Sequence, residues 1–374
     1  MVATMVFWSA ALLLAYTYAG YPALLLALAR WRPRPVTRTP LDTTVTAVMT
    51  VYNGAPDIAR KLENLLALDW PAGALDIVVV CDGCSDDSAA IARTFAARGV
   101  TVIESPQRRG KSACVNDGIA IADGELLLMA DARQRVERDA LKALAANLTD
   151  PNVGVVGGAL RFEDATTGFA AGVNAYWRYE TAIRSAESAS GSVVGVSGAL
   201  YAMRRSAFEP LPEGTVLDDV LVPMRAVREG YRVILEPAAI AWDQASASSA
   251  QEQRRKIRTL AGNFQLVQLA PWLLVPGMNP LWLRFASHKL LRLASPWLLV
   301  AMGLAAVALF HEHRFYRLCV LAMLAAIVAM IAARRSPRVA ESAPVRLLSA
   351  FVHMNLYAAQ ALFAYVRNRR LHLW

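Results

Sequence analysis

Val6 to Ala29 runs without one charged side chain, and about 20 such residues are what a helix needs to cross the hydrocarbon core of a bilayer. Any fold for this chain must therefore keep that segment out of water. A cleaved leader would need a basic start, a shorter apolar core and a small-residue cleavage site. Here Met1 to Ala10 is uncharged, and positive charge follows the segment instead, at Arg30, Arg32, Arg34 and Arg38. Basic residues favour the cytoplasmic side, so the sequence predicts an uncleaved anchor over residues 1–30 that leads into a cytoplasmic domain. The remaining composition fits that division. The chain is 56% hydrophobic with a mean hydropathy of +0.33, yet it carries 39 Lys and Arg and 30 Asp and Glu among its 374 residues, so apolar and charged material must be segregated along it.

The net charge of +9 raises nucleic acid as a partner. Many arginines lie beside apolar stretches, where they suit anionic lipid, and no recognisable DNA- or RNA-binding module accompanies them. The bilayer is the expected partner, and nucleic acid is not. Cys81 and Cys84 form a C-x-x-C pair, but no second pair exists, His is scarce, and the other cysteines, Cys114 and Cys319, stand alone. Packing in a reducing cytoplasm accounts for them better than a zinc or redox site.

Residues 41–262 alternate between strand-like and helix-like patterns. Thr44–Val51, Leu75–Val80, Val100–Glu104 and Glu125–Ala130 read as strands, and Asp57–Leu68, Ser88–Arg98 and Ala113–Ala122 as helices. Such alternation implies a parallel sheet with helices on both faces, whose ligands lie beyond the carboxyl ends of the strands. Residues 263–285, with three prolines and two tryptophans between Phe264 and Leu283, suit an interfacial segment. Residues 286–374 read as a transmembrane region, with spans at Leu293–Phe310 and Arg317–Ala333 joined by an outer turn at His311–Tyr316. Arg334, Arg335 and Arg338 mark the inner end. Leu347–Val366 is a further apolar stretch that ends in Arg367, Arg369 and Arg370. An outward crossing would put those cations on the disfavoured side, so an in-plane or re-entrant course and a different topology both stay open.

The strand-end rule directs attention to a few polar residues. Asn53 follows the first strand. Asp82 ends the second, where it can accept hydrogen bonds from a base or ribose, or serve a turn in which Ser85 or Asp86 caps the next helix. Gln107–Ser112 is a basic loop with Gly110 and Lys111 at a helix start, suited to phosphate although it lacks the Walker A spacing. Asp131 ends the Glu125–Ala130 strand. Further on come the acidic pair Asp218-Asp219, which also suits a helix N-terminus, and Gln251-Glu252-Gln253-Arg254-Arg255. Lys256 and Arg258 fit a lipid-facing basic helix.

In this order, Asp82, the Gly110-Lys111 loop with Asn116, Asp131, Asp218-Asp219 and Gln251-x-x-Arg254 resemble the family 2 glycosyltransferases. The resemblance covers residues 44 to about 262, and the flanking apolar segments match the membrane-bound bacterial branch that includes polysaccharide synthases. It implies an α/β glycosyltransferase-A fold, a Rossmann-like nucleotide-sugar domain, carried between N- and C-terminal transmembrane helices. It further implies a multi-pass protein of the cell inner membrane with its catalytic domain in the cytoplasm. Such an enzyme takes a nucleotide sugar, usually a UDP-sugar, and inverts the anomeric configuration in a single displacement onto a growing envelope or extracellular polysaccharide. A single-addition glycolipid synthase acting on a lipid acceptor is the alternative, and a non-catalytic nucleotide-binding scaffold is a third reading. Partners for envelope export would accompany the first.

By the same resemblance Asp219 is the general base with Asp218 beside it. Asn53, Asp82, Lys111, Asp131, Gln251, Arg254 and Arg255 bind the nucleotide sugar, and Gly198 and Ala199 lie on the acceptor side. Two departures from the family pattern stand out. Asp-x-Asp reads Asp131-Ala132-Arg133, so either Asp131 holds Mg²⁺ or Mn²⁺ with the diphosphate, or Arg133 supplies positive charge itself. Gln-x-x-Arg-Trp reads Gln251-Glu252-Gln253-Arg254-Arg255, so a guanidinium replaces the indole that stacks on the acceptor in processive synthases.

Overall fold

The computed structural model describes residues 1–163, 168–244, 249–368 and 371–373. Its centre is an eight-stranded sheet in the order β3-β2-β1-β4-β7-β6-β8-β5. The strands are β1 (Val45–Val51), β2 (Leu75–Asp82), β3 (Val100–Ser105), β4 (Leu126–Ala130), β5 (Arg135–Val136), β6 (Val153–Phe162), β7 (Leu200–Arg204) and β8 (Arg232–Asp243). β1 is buried along its whole length, as expected of a β-branched run in a sheet covered on both faces. α1 (Val2–Trp31) precedes the sheet. α2 (Ala55–Leu66) then places Ile58, Leu62 and Leu65, one and two turns apart, against it at 0% exposure, each contributing about 1.5–3 kcal/mol by burial. α3 (Ser88–Arg93) and α4 (Lys111–Ala120) complete the first half. A Cβ on Gly118 of α4 would stand 2.7 Å from Val48 Cγ1, so that glycine lets the helix rest close on β1.

β1, β2, β3 and β4 run parallel, as the sequence pattern predicts. The second half is mixed. β7 runs antiparallel to both β4 and β6, β6 runs parallel to β8, and β5 runs antiparallel to β8. Burial periodicity reveals a strand but not its direction. Here the reversed direction matters, because Leu200 at the start of β7 pairs with Ala130 at the end of β4. The loop before β7 is thereby brought to the strand ends where Asp131 lies.

α5 (Ala140–Asn147) and α6 (Gly168–Ala189) flank β6, α7 (Asp218–Arg228) precedes β8, and α8 (Ser249–Leu269) follows it. The expected Ser88–Arg98 helix ends at Arg93, followed by a separate short turn at Ala96–Arg98 before left-handed Gly99. Phe264–Leu269 forms the last turns of α8, so the boundary drawn at 262 from the sequence falls inside that helix. Beyond it lie α9 (Trp282–Ala308), α10 (Arg314–Arg335) and α11 (Ala343–Arg367); these and α1 are four helices long and apolar enough to cross a membrane. The Arg369 and Arg370 of the expected basic terminus lie outside the described residues.

The first and second apolar helices are tied to the sheet domain at α6. Tyr21 of α1 donates its hydroxyl to Glu187 at 2.6 Å. His288 of α9 bridges Glu187 at 2.9 Å and Glu180 at 2.8 Å, and Arg292 donates to Glu180 at 2.6 Å. Glu187 and His288 are buried. Both helices widen into a π-helical turn here, at Tyr16–Gly20 and Ala286–Leu290, and the two turns meet where Tyr16 Oη lies 2.9 Å from Ser287 Oγ.

Candidate active site

The strand order reverses at β1 and β4: β2 and β3 build out to one side of β1, while β4 lies on the other. At such a switch point the loops diverge and leave a crevice beyond the strand ends. Asn53, Asp82 and Asp131 sit at that edge, after β1, at the end of β2 and after β4.

Asp82 is fully buried. Its carboxylate accepts the backbone N–H groups of Arg109 at 2.7 Å and Gly110 at 2.9 Å, which fixes the basic loop against the end of β2. Gly110 has φ +92°, a conformation that favours glycine, and this turn launches α4 with Lys111 as its first residue. Arg108 stacks over the Tyr52 ring at 3.7 Å. Asn53, at φ +49°, accepts the Ser85 N–H at 2.9 Å and holds the two strand-end turns together. Asp86 caps two helices, accepting from Ser88 N at 3.1 Å and Ala55 N at 3.0 Å. The four cysteines are unpaired, and burial pushes the Cys81 thiol up to about 12, consistent with packing.

Lys111 joins the two acidic regions. Its Nζ lies 3.0 Å from Asp131 Oδ1 and 3.2 Å from Asp218 Oδ2. Burial opposes its charge, but Asp131, Asp218 and Asp219 outweigh it and hold the ammonium well above the usual lysine range. Asp218 is buried, whereas Asp219 is half-buried and accepts the Gly198 N–H at 3.3 Å. Asp219 is raised from 3.8 to about 6, chiefly by burial and next by the Asp218 charge, against the pull of Lys111 and Lys289. A carboxylate so placed can accept a proton near neutral pH. Gly198 is where these groups meet: a Cβ there would stand 3.2 Å from Lys111 Nζ and 3.7 Å from Asp131 Oδ2 and Asp219 Oδ2. Its neighbour Ala199 is packed in the core.

α8 lies along the loop that leads into Asp218. Gln265 accepts the Val216 N–H at 2.9 Å and donates to the Gly214 carbonyl at 2.8 Å, and a Cβ on Gly262 would meet Leu217 Cγ at 2.7 Å. One turn earlier on that face is Arg258, half-buried. Arg255 follows on the same face, 3.6 Å from Asp243 Oδ2. Gln251 and Arg254 are exposed on the first turns of α8, and Lys256 pairs with Glu252 at 3.7 Å. Arg258, expected on lipid, thus shares the face of α8 that Gly262 turns to Leu217. Its signal in the sequence was its helical spacing from Arg255 and Gly262. Asp243, which ends β8, carried none: Arg133 donates to it at 2.7 Å and Gln134 at 3.0 Å. From the C-terminal tail, His372 covers Gly110 and Gly214.

A divalent cation at Asp131 would need further anionic or neutral ligands. Asp131 is already paired with Lys111, Asp243 with Arg133, and Arg133 stands where a second ligand would be required. Lys61, buried beneath, donates to the Gln134 carbonyl at 2.7 Å. Among the described residues no group of three or more His, Cys, Asp or Glu could hold a metal ion. This donor set does not fit the group.

A mixed sheet with its acids at a switch point defines the glycosyltransferase-A class of fold. Among solved structures the chain is similar to mannosyltransferase PcManGT from Pyrobaculum calidifontis in complex with GDP-Man and Mn²⁺, with a TM-score of 0.74 over 97% of this chain and 99% of that one at 23% identity. Residues 46–211 match the profile of glycosyl transferase family 2, and the chain carries a family 2 glycosyltransferase domain. It is 25% identical over 237 residues to "Probable glycosyltransferase YdaM" of Bacillus subtilis (strain 168), covering 60% of this chain and 56% of that protein. It is 24% identical over 230 residues to the poly-beta-1,6-N-acetyl-D-glucosamine synthase of Staphylococcus aureus (strain COL), covering 60% and 55%. The chain thus spans just over half the length of these curated relatives.

Proposed function

We propose that this domain transfers a sugar from a nucleotide sugar, a UDP-sugar in the first instance, to a growing envelope or extracellular polysaccharide with inversion at the anomeric carbon. The observation that carries the reading is Asp219, its pKa raised to about 6, beside Gly198 and joined through Lys111 to the strand-end Asp131. In the step proposed, an acceptor hydroxyl oxygen forms the new bond to the anomeric carbon as the bond from that carbon to the diphosphate oxygen breaks. The electron pair leaves with the nucleotide, and the hydroxyl proton passes to Asp219. Lys111 holds the donor's phosphate side, and Asp82 keeps the Arg109-Gly110 loop in place to receive the nucleotide. Gly198 leaves room for the acceptor. The polysaccharide assignment draws support from the synthase relative. A multi-pass protein of the inner membrane, with this domain in the cytoplasm, is supported by Arg30, Arg32, Arg34 and Arg38 between α1 and the sheet.

One observation favours the second reading, a single sugar added to a membrane lipid. A cavity of about 270 Å³ lies between α1, α6, α8, α9 and α11, lined by Tyr18, Tyr179, Leu260, Arg292, Phe351 and Met354 among others. Its lining is mostly apolar, which suits a lipid chain. Purified membranes incubated with a panel of nucleotide sugars, followed by assay of nucleotide release and sizing of the labelled product, separate the two. A ladder or high polymer supports the first, and one sugar on an extractable lipid the second. Asp219→Asn should abolish transfer while sparing nucleotide binding; wild-type protein that releases nucleotide from no sugar donor would sink both.

A further inference from the structure

The two departures from the family pattern, Arg133 and Arg255, are far apart in sequence and converge on one carboxylate. Arg133 Nη2 lies 2.7 Å from Asp243 Oδ2, and Arg255 Nη1 lies 3.6 Å from the same oxygen. The Asp243 side chain is 1% exposed, whereas those of Arg133 and Arg255 are 36% and 37% exposed. The carboxylate is therefore a buried anchor whose two guanidinium partners reach solvent at the strand ends. Asp243 also accepts from Gln134 at 3.0 Å, so the anchor is fixed from two elements. Leaving one such buried charge beneath two cations preserves a net positive charge above it.

We propose that the donor's diphosphate is neutralised by this arginine pair, Arg133 and Arg255 seated on Asp243, in place of a divalent cation. The inference rests on the nucleotide-sugar reading of the same site. Two guanidinium groups on one carboxylate leave a net positive charge, stay protonated at any working pH, and offer planar donor pairs that match phosphate oxygens. Lys111, at 3.0 Å from Asp131, acts against a divalent ion there, since it would repel the incoming charge. The substitution of Arg for the second Asp and of Arg for Trp then becomes a single change with one carboxylate as its hub.

The test is binding of UDP, GDP, ADP and CDP to the full chain in lipid nanodiscs, by calorimetry, first in EDTA and then in excess Mn²⁺. The proposal expects whichever nucleotide binds to do so with a Kd equal within about threefold in both buffers, a difference under 1 kcal/mol. Arg255→Gln should weaken binding at least about tenfold in both, the loss of one charge-assisted hydrogen bond. Arg133→Asp should weaken it in EDTA and regain it with Mn²⁺. If that variant does not fold, the wild-type pair of titrations still decides. Wild-type binding that vanishes in EDTA and returns with Mn²⁺, or electron paramagnetic resonance showing Mn²⁺ held tightly in the nucleotide complex, overturns the arginine pair and leaves glycosyl transfer standing. Failure of all four nucleotides in both buffers overturns the two together.

Discussion

Replacing Asp218 by Asn tests Asp219 as proton acceptor through a midpoint rather than through lost activity. Asp219 rises from 3.8 to about 6, with burial the largest cause and the Asp218 charge the next. Lys111 and Lys289 pull the other way, so the raising causes together exceed that net shift, and a like charge this close shifts a carboxylate by about one pH unit or more. Asparagine keeps the shape and removes the charge. It also frees Lys111 Nζ, now 3.2 Å from Asp218, to favour ionisation of Asp219, so both effects point downward. The pH dependence of kcat/KM reports groups of the free enzyme. In the wild type that profile should climb with pH through about 6, because the base works deprotonated; in Asp218→Asn the climb should move down by about one pH unit or more. The neighbouring carboxylates titrate as a pair, so each midpoint belongs to a macroscopic step. A midpoint that stays put or moves upward refutes the assignment. Stability supplies a check of opposite sign. Because its folded value is raised, Asp219 contributes most below its unfolded pKa and loses that contribution as pH rises through about 6. Asp219→Asn should therefore gain on the wild type in thermal unfolding between pH 4 and 7, by at most about 3 kcal/mol.

Asp82→Ala removes the acceptor for the Arg109 and Gly110 amides, at 2.7 and 2.9 Å. It should cost about 3 kcal/mol and release the loop ahead of Lys111, seen as a lower Tm and weaker nucleotide binding; an unchanged Tm counts against the loop-holding role. Glu187→Gln takes the charge from a buried carboxylate that serves Tyr21 and His288. A loss of about 3 kcal/mol or more is expected, read as thermal stability in nanodiscs, and an unmoved transition would show that the tie between α1, α6 and α9 carries little.

The strand-end residues were legible because their signal is local. A run such as Val78-Val79-Val80 followed by a polar turn announces both a buried strand and its end, so Asp82 and Asp131 could be placed by pattern alone. Lys111 was found through Gly110, whose turn marks a helix start. What the pattern could not carry was direction and register between distant elements. β7 looks the same along the chain whether it runs with β4 or against it, yet the reversed course is what brings Gly198 to Asp131. Arg258 looked like a lipid-facing cation until Gly262 against Leu217 set which face of α8 turns inward. Asp243 follows Trp242 in a strand with no surrounding motif, and only the pairing of β8 with β5 brings it under Arg133.

The contact between the two π-helical turns has a consequence for how the protein is made. Tyr16 and Ser287 are 271 residues apart, and at roughly 5–20 residues per second of synthesis the ribosome needs about 14 to 54 s to deliver the second after the first. Glu187, which receives the Tyr21 hydroxyl, also emerges long after α1. Until Glu187 emerges α1 has none of the partners that later fix its base, so its own uncharged run must keep it lodged in the bilayer. The widened turn at Tyr16–Gly20 then waits as an unfilled socket, and the assembly closes from the C-terminal side once α9 arrives.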